Sequence, residues 1–280
     1  DMGREYRILS RLSQHFEWAP KPLLFCDDAE VIGAEFYVMN RLVGVILRRS
    51  LPTGMVIDAA AARRLSETLL DALVALHQAD YRAIGLGDFG KPKGYVARQV
   101  DGWTRRYAHS KTDDIEDMPY VAAWLAAHMP DASAACVIHN DYKFDNVIYA
   151  DHSFKRIVGV LDWEMATIGD PLMDLGTMLC YWVEPHDHPG LQNLSFGPTN
   201  LPGMYSREAL VQRYAQATSS DVSHIIFYYA FGLYKTAVVL QQIYYRYHQG
   251  VTQDPRFAVL NMGVRLLAQR AREAIEQRRL

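Results

Sequence analysis

Between Ile138 and Val147 the chain reads His139-Asn140-Asp141-Tyr142-Lys143-Phe144-Asp145-Asn146, and sixteen residues beyond Asn146 stands Asp162, within Val160-Leu161-Asp162-Trp163-Glu164. That order of Asp, Lys, Asn and Asp suits phosphoryl transfer. A transferring phosphoryl group spreads charge over its oxygens in the transition state, so the protein's work is to position reactants and neutralise charge. Asp141, on a constrained loop, can orient an acceptor hydroxyl and take its proton. Lys143 can hold an ammonium against the transferring group. Asn146 offers an amide oxygen to a hard cation, and Asp162 offers a carboxylate to the same metal. His139 reads as a hydrogen-bonding support of the loop and not as a reactant.

Such a loop needs rigid walls. Ala135 to Ile138 and Val147 to Ala150 are short β-prone runs on either side, and Arg156 to Leu161 is a third. Upstream, Tyr6, Leu9, Leu12 and Phe16 fall at helical spacing over Glu5 to Phe16, and Ala19-Pro20-Lys21-Pro22 ends that pattern. Leu23 to Cys26 and Glu35 to Met39 read as an antiparallel pair. From Asn40 to Thr53 few positions are periodic. Asp58 then caps a long helix with Leu65, Leu69, Leu73 and Leu76 on one face. These changes predict an α+β, two-lobed molecule with its boundary near 40–45: a small mixed lobe over 1–43 and a mainly helical lobe over 44–280. Further helices are expected at 94–109, at 117–130 and from Pro171 onward, with starts at Ser206, Asp221 and Asp254-Pro255.

Composition narrows the field. A chain of 280 residues with 50% hydrophobic content can bury one substantial core or two modest ones around a cleft. A net charge of −3 provides no field to gather nucleic acid or an anionic membrane surface. Cys26, Cys136 and Cys180 lack metal-ligand or disulfide spacing, which fits a reducing, cytoplasmic setting. No apolar run has the length to span a bilayer.

His139 to Asn146 keeps Asp, Lys and Asn in the register of the protein-kinase catalytic loop. With Leu161-Asp162-Trp163-Glu164-Met165-Ala166-Thr167-Ile168-Gly169-Asp170-Pro171, Glu5-Tyr6-Arg7 and Phe36-Tyr37-Val38-Met39, nearly the whole chain resembles the aminoglycoside phosphotransferase and choline kinase superfamily. Within it, the similarity is to the phosphotransferase domain fused to acyl-CoA dehydrogenases and its free-standing bacterial relatives. That resemblance implies a bilobal protein-kinase-like fold, ATP with Mg2+, and a small hydroxylated acceptor. It makes Asp141 the base, Asn146 and Asp162 the metal ligands, and Asn40 and Leu42 the hinge positions facing adenine. It places Glu5 on the helix whose glutamate pairs with the ATP-binding lysine, and makes Asp170 and Asp174 braces of the catalytic loop. The family's glycine-rich hairpin and lysine strand precede that helix, yet only Asp1 to Arg4 come before Glu5 here. The small lobe is therefore expected to be incomplete in these residues, and a nucleotide-binding pseudokinase is the alternative reading.

Helical pattern resumes at Pro171, nine residues after Asp162, which leaves little room to dock a peptide and favours a small acceptor. The helical lobe is rich in aromatic residues, and Asp221 to Gly250 contains Lys235 and Arg246 but almost no acid. This pattern points away from a polycationic aminoglycoside and toward an apolar or anionic acceptor such as a hydroxyacyl thioester or hydroxy acid. Several other features read as structural. His77 is expected in a buried hydrogen bond near the catalytic loop, with Asp80 as a neighbouring charge. His186-Asp187-His188 reads as a solvated loop, and Gly85-Leu86-Gly87-Asp88-Phe89-Gly90 as a connection.

Overall fold

The first expected helix forms as α1 (Met2–Leu12), capped by the Asp1 carboxylate, which accepts the Arg4 amide at 2.9 Å. The computed structural model describes residues 1–52, 54–131 and 134–280. α1 buries Ile8, Leu9 and Leu12 and stops short of Phe16. Beyond Leu12 the chain turns, carrying the Phe16 ring into edge contact with Trp18 and Trp163 at 5.1 and 6.0 Å. Phe16 is thus a core residue, as its spacing suggested, although not a helical one.

Behind α1 lies the expected antiparallel pair, β1 (Pro22–Cys26) and β2 (Phe36–Met39), with Leu24 opposite Val38 and Phe25 opposite Tyr37. The Tyr6 ring bridges helix and ladder, 5.4 Å from Phe25 and 6.4 Å from Tyr37. The next segment holds a strand that its weak periodicity hid, β3 (Val45–Ile46). Two residues are too few for an alternation to register.

α2 (Ala59–Gln78) begins at the expected Asp58 cap, whose carboxylate accepts the Ala61 amide at 2.7 Å. It buries all four predicted leucines, Leu65, Leu69, Leu73 and Leu76. α3 (Tyr95–Ser110) and α4 (Asp117–Ala127) follow. Four short strands come next: β4 (Cys136–Ile138), β5 (Val147–Tyr149), β6 (Ile157–Val160) and β7 (Thr167–Gly169). They form two antiparallel sheets, ordered β3-β5-β6 and β4-β7. β7 was not foreseen, and it closes the ladder that pairs Cys136 with Gly169 and Ile138 with Thr167.

The remainder is helical: α5 (Pro171–Tyr181), α6 (Pro189–Asn193), α7 (Arg207–Thr218), α8 (Ile225–His248) and α9 (Leu260–Gln277). Ser206 caps α7 as expected. Two expected starts shift. Asp221 instead closes a local turn onto the Ser223 amide at 2.9 Å, and α8 begins at Ile225. Asp254 caps a short 3-10 turn over Pro255–Val259, and α9 begins after it. Among the described residues no helix is long and apolar enough to cross a membrane.

Candidate active site

β4 ends at Ile138 and β5 begins at Val147, so residues 139–146 form a loop held at both ends by paired strands. Its conformation is set by hydrogen bonds that arrive from distant parts of the chain. His139 is fully buried; Nε2 donates to the Leu161 carbonyl at 2.8 Å, and Nδ1 accepts the Asp141 amide at 3.2 Å. One nitrogen gives and the other receives, which selects the neutral Nε2–H tautomer, and burial lowers the ring's pKa in the same sense. The supporting role read for His139 is the observed one.

Asp174 of α5 accepts the amides of His139 and Asn140, each at 2.7 Å, and faces His77 Nε2 at 3.2 Å. Burial alone would raise this carboxyl; the hydrogen bond and charge from His77, with His139 behind them, outweigh it and hold the pKa below its ordinary value. His77 also meets the Tyr214 hydroxyl at 2.7 Å. It therefore makes the buried bond expected of it, but through Asp174, while Asp80 caps the following turn on the amides of Arg82 and Ala83. Asp170 departs from expectation. Its carboxylate caps α5 on the Leu172 amide at 2.8 Å and receives the Tyr228 hydroxyl at 3.1 Å, so it sets the helix that carries Asp174, and among the described residues it accepts no hydrogen bond from the loop.

Two loop residues adopt left-handed backbone conformations, Asn140 with φ 67° and Asp162 with φ 68°. Asn and Asp tolerate this region better than other non-glycine residues. The Asn140 side chain is fixed by donating to the Met165 carbonyl at 3.0 Å and accepting the Tyr95 hydroxyl at 3.2 Å.

At the centre, the Asp141 carboxylate receives Lys143 Nζ and Asn146 Nδ2 on Oδ2, the latter at 3.2 Å, and the Tyr181 hydroxyl on Oδ1 at 2.7 Å. Asn146 Nδ2 also donates to the Asp141 carbonyl at 2.9 Å. Lys143 Nζ lies 5.0 Å over the Tyr181 ring and 5.5 Å over that of Phe196. Tyr181 was read from sequence only as one of many helical-lobe aromatics. Burial, and after it the charge of Asp141, push its phenol well above the ordinary value, so it stays a donor. Nothing short of the fold could single it out, since it lies forty residues from Asp141.

Main-chain pairing sets the segments of the two expected metal ligands side by side, because the Leu161 amide donates to the Asn146 carbonyl at 2.7 Å. Asn146 spends its Nδ2 on Asp141, and among the described residues nothing donates to its Oδ1 or to the Asp162 carboxylate. Both are hard oxygen donors, so the pair fits Mg2+.

The residues expected on the nucleotide side have these surroundings. Glu5 stands beside the Tyr37 hydroxyl, and burial, then Glu5 and Asp162, raise the Tyr37 pKa. Asn40 extends the β1–β2 ladder: its amide donates to the Lys21 carbonyl at 2.9 Å and its Oδ1 accepts the Lys21 amide at 2.6 Å. Leu42 packs on Gly159, where an added Cβ would come within 2.2 Å of the leucine Cδ1. Among the described residues neither the Asn40 carbonyl nor the Leu42 amide joins a backbone hydrogen bond outside the regular elements.

Two features lie outside this centre. Glu184, His186 and Asp187 bring ligand atoms within 4.8 Å of one another. However, Arg207 fills the spot, reaching Glu184 at 3.0 Å and Asp187 at 2.6 Å with all three side chains buried. Asp187 is therefore a core ion-pair partner and not part of a solvated loop. Asp88-Phe89-Gly90 is a connection, as read: Asp88 pairs with Arg7, and the Arg4 guanidinium stacks 4.0 Å above Phe89.

A β-walled loop carrying Asp141 and Asn146, with Asp162 beside it and helices beneath, defines the kinase-like phosphotransferase class. The chain belongs to the phosphotransferase enzyme family, whose model matches residues 1–217. It is 34% identical over 252 residues to acyl-CoA dehydrogenase family member 11 of Mus musculus, covering 89% of this chain and 32% of that protein. The chain thus spans about a third of that relative. A solved Ralstonia eutropha structure described as an aminoglycoside phosphotransferase matches with a TM-score of 0.87 at 32% identity, over 99% of this chain and 83% of the other. An aminoglycoside phosphotransferase solved in ternary complex with AMP-PNP and hygromycin B shares the fold, with a TM-score of 0.59 at 15% identity over 96% and 83%.

Proposed function

We propose that this protein transfers the γ-phosphoryl group of ATP to a hydroxyl of a small molecule, and that the acceptor is a hydroxy acid or a hydroxyacyl thioester. The observation that carries the reading is the set of donors around Asp141, where Lys143, Asn146 and Tyr181 fix a carboxylate beside two free oxygen ligands. Asp141 accepts the acceptor's proton as the oxygen attacks phosphorus. Lys143, held by Asp141 and by the faces of Tyr181 and Phe196, supplies positive charge near the transferring group. Asn146 and Asp162 would hold magnesium, which would supply positive charge to offset that of the phosphates. Glu5, Asn40 and Leu42 bound the nucleotide side, with residues 39–43 as the hinge between a small lobe and a helical one. The dehydrogenase-linked relatives and the scarcity of acid along α8 favour an acidic or thioester-bearing acceptor over a cationic sugar.

The test is Mg-ATP consumption by the full-length protein against hydroxy acids, hydroxyacyl-CoAs, amino alcohols, sugars and aminoglycosides. One of the first two groups should yield ADP in proportion to phosphorylated product. Asp141→Asn should lower kcat by roughly 10²- to 10⁴-fold, the usual contribution of a positioned base. Turnover that survives this substitution would remove Asp141 from the chemistry.

A further inference from the structure

Beside the catalytic loop lies a cavity of about 530 Å³ whose charged lining is five cations, Arg4, Lys91, Arg98, Arg106 and Lys235, against one carboxylate, Glu164. The imbalance stands out in a chain whose net charge is −3. Among the described residues none of the five cations has a carboxylate within 4.0 Å, although many surface arginines of this chain do. Asn140, the neighbour of Asp141, is part of the same wall.

The five cations are not equivalent. Arg4 spends its guanidinium on the carbonyls of Phe89 and Ala166, at 3.2 and 3.1 Å, and Arg98 spends its own on those of Lys91 and Lys93. Those two are tied into the fold. The Arg106 guanidinium donates no hydrogen bond to any described residue and rests 4.4 Å over the Trp103 ring. Lys235 Nζ sits 5.9 Å from that same ring, so one indole sets both cations on one wall. Lys235 is only 4% exposed, and a single bond, to the Asn140 carbonyl, uses one of its three protons. Lys91 is exposed at the rim. Gln99, Trp103 and Arg106 follow a spacing of four and then three along α3, which puts them on one helix face.

Burying an ammonium without a carboxylate is costly, and burial lowers the Lys235 pKa to about 8. An anion in the cavity would offset that cost. We infer that the cavity is an anion subsite, in which Arg106, Lys91 and Lys235 bind a carboxylate or phosphate group of the acceptor while its hydroxyl reaches Asp141. Arg106 also lines a second cavity of about 730 Å³ between α3 and α8, with Arg105, His109 and Arg246. A long acceptor can therefore extend away from the loop over a surface that stays basic. This inference rests on the proposed acceptor class and deepens it, since it assigns the side chains that distinguish an anionic acceptor from a neutral one.

Direct binding to the full-length protein, read by calorimetry, separates the two ideas. The probes are 3-hydroxybutyrate, its uncharged methyl ester, and 3-hydroxybutyryl-CoA. The acid or the CoA thioester should bind, the methyl ester should bind at least about tenfold more weakly, and added salt should weaken the charged probes alone. Arg106→Gln and the exposed Lys91→Gln should each raise the Kd of the charged probes, Arg106→Gln by about tenfold, as expected for one charge-assisted contact. An effect confined to the acid assigns the subsite to a carboxylate; one confined to the thioester assigns it to carrier phosphates. Ester binding equal to that of the charged probes, or Kd values indifferent to both substitutions, would overturn the subsite. Anion binding that persists where no probe or panel member is phosphorylated would instead sink the proposed reaction and leave the subsite standing.

Discussion

Tyr181 orients the proposed base. Its hydroxyl donates to Asp141 Oδ1 at 2.7 Å, while Oδ2 is shared by Lys143 and Asn146, so each carboxylate oxygen is restrained from a different side. A base that must meet one hydroxyl loses rate when it can rotate, because misplacement by about 1 Å can cost on the order of 100-fold. Lys143 and Asn146 still restrain Asp141 when Tyr181 is gone, so the loss should be smaller than that limit. Tyr181→Phe should lower kcat about fivefold with KM for ATP unchanged, in steady-state assays on the preferred acceptor. An unchanged kcat would reduce this contact to packing. The four motif residues could be read without coordinates because they lie within one short loop and one strand end. Tyr181 could not, since α5 and the loop meet only after folding.

At the scale of elements, α5 and α8 meet where two glycines remove the side chains. A Cβ on Gly176 would lie 2.2 Å from the Tyr228 carbonyl oxygen, and one on Gly232 would lie 2.4 Å from the Gly176 carbonyl oxygen. These are backbone atoms of the facing helix, so relief requires the helices to part. Alanine improves helix propensity by about 1 kcal/mol, but overpacking a core costs about 1–3 kcal/mol or more, and a clash this close with backbone lies at the upper end. Gly232→Ala should therefore destabilise the protein by about 2 kcal/mol in urea titrations. It should also lower kcat, because α5 carries both Asp174 and Tyr181. A stabilised variant would show that the helices have room to spare. Periodicity located most of these elements, but not β3 and β7, which are two and three residues long and owe their strand form to β5 and β4.

Across the whole molecule, Asp174 joins three regions far apart in the chain: α2 through His77, the catalytic loop through the amides of His139 and Asn140, and its own α5. Its depressed pKa carries a sign. A carboxyl held below its ordinary value of 3.8 contributes stability that is complete above that value and disappears as pH falls through the lower, folded one. Asp174→Asn removes the charge and sets an NH2 donor against one of two amides that each need an acceptor, at a cost of about 3 kcal/mol near neutral pH. Urea melts should show that gap closing below about pH 4, since the wild type alone loses the contribution there. A gap constant from pH 7 to pH 3 would mean that the carboxylate's charge is not what binds the three regions.

From the sequence by itself came the reaction class, the residues of the central loop and the helical character of most of the chain, because each is encoded in short-range order: a motif of eight residues, a cap, an apolar stripe. Only the tertiary structure decided that Asp174 and not Asp170 holds the loop, that Tyr181 faces the base, and that Asp187 is buried against Arg207. It alone gathered Arg106, Lys91 and Lys235 around one cavity. Those are contacts between residues tens of positions apart. Which partner a buried polar group finds depends on how the helices and strands pack, and local spacing carries no record of that.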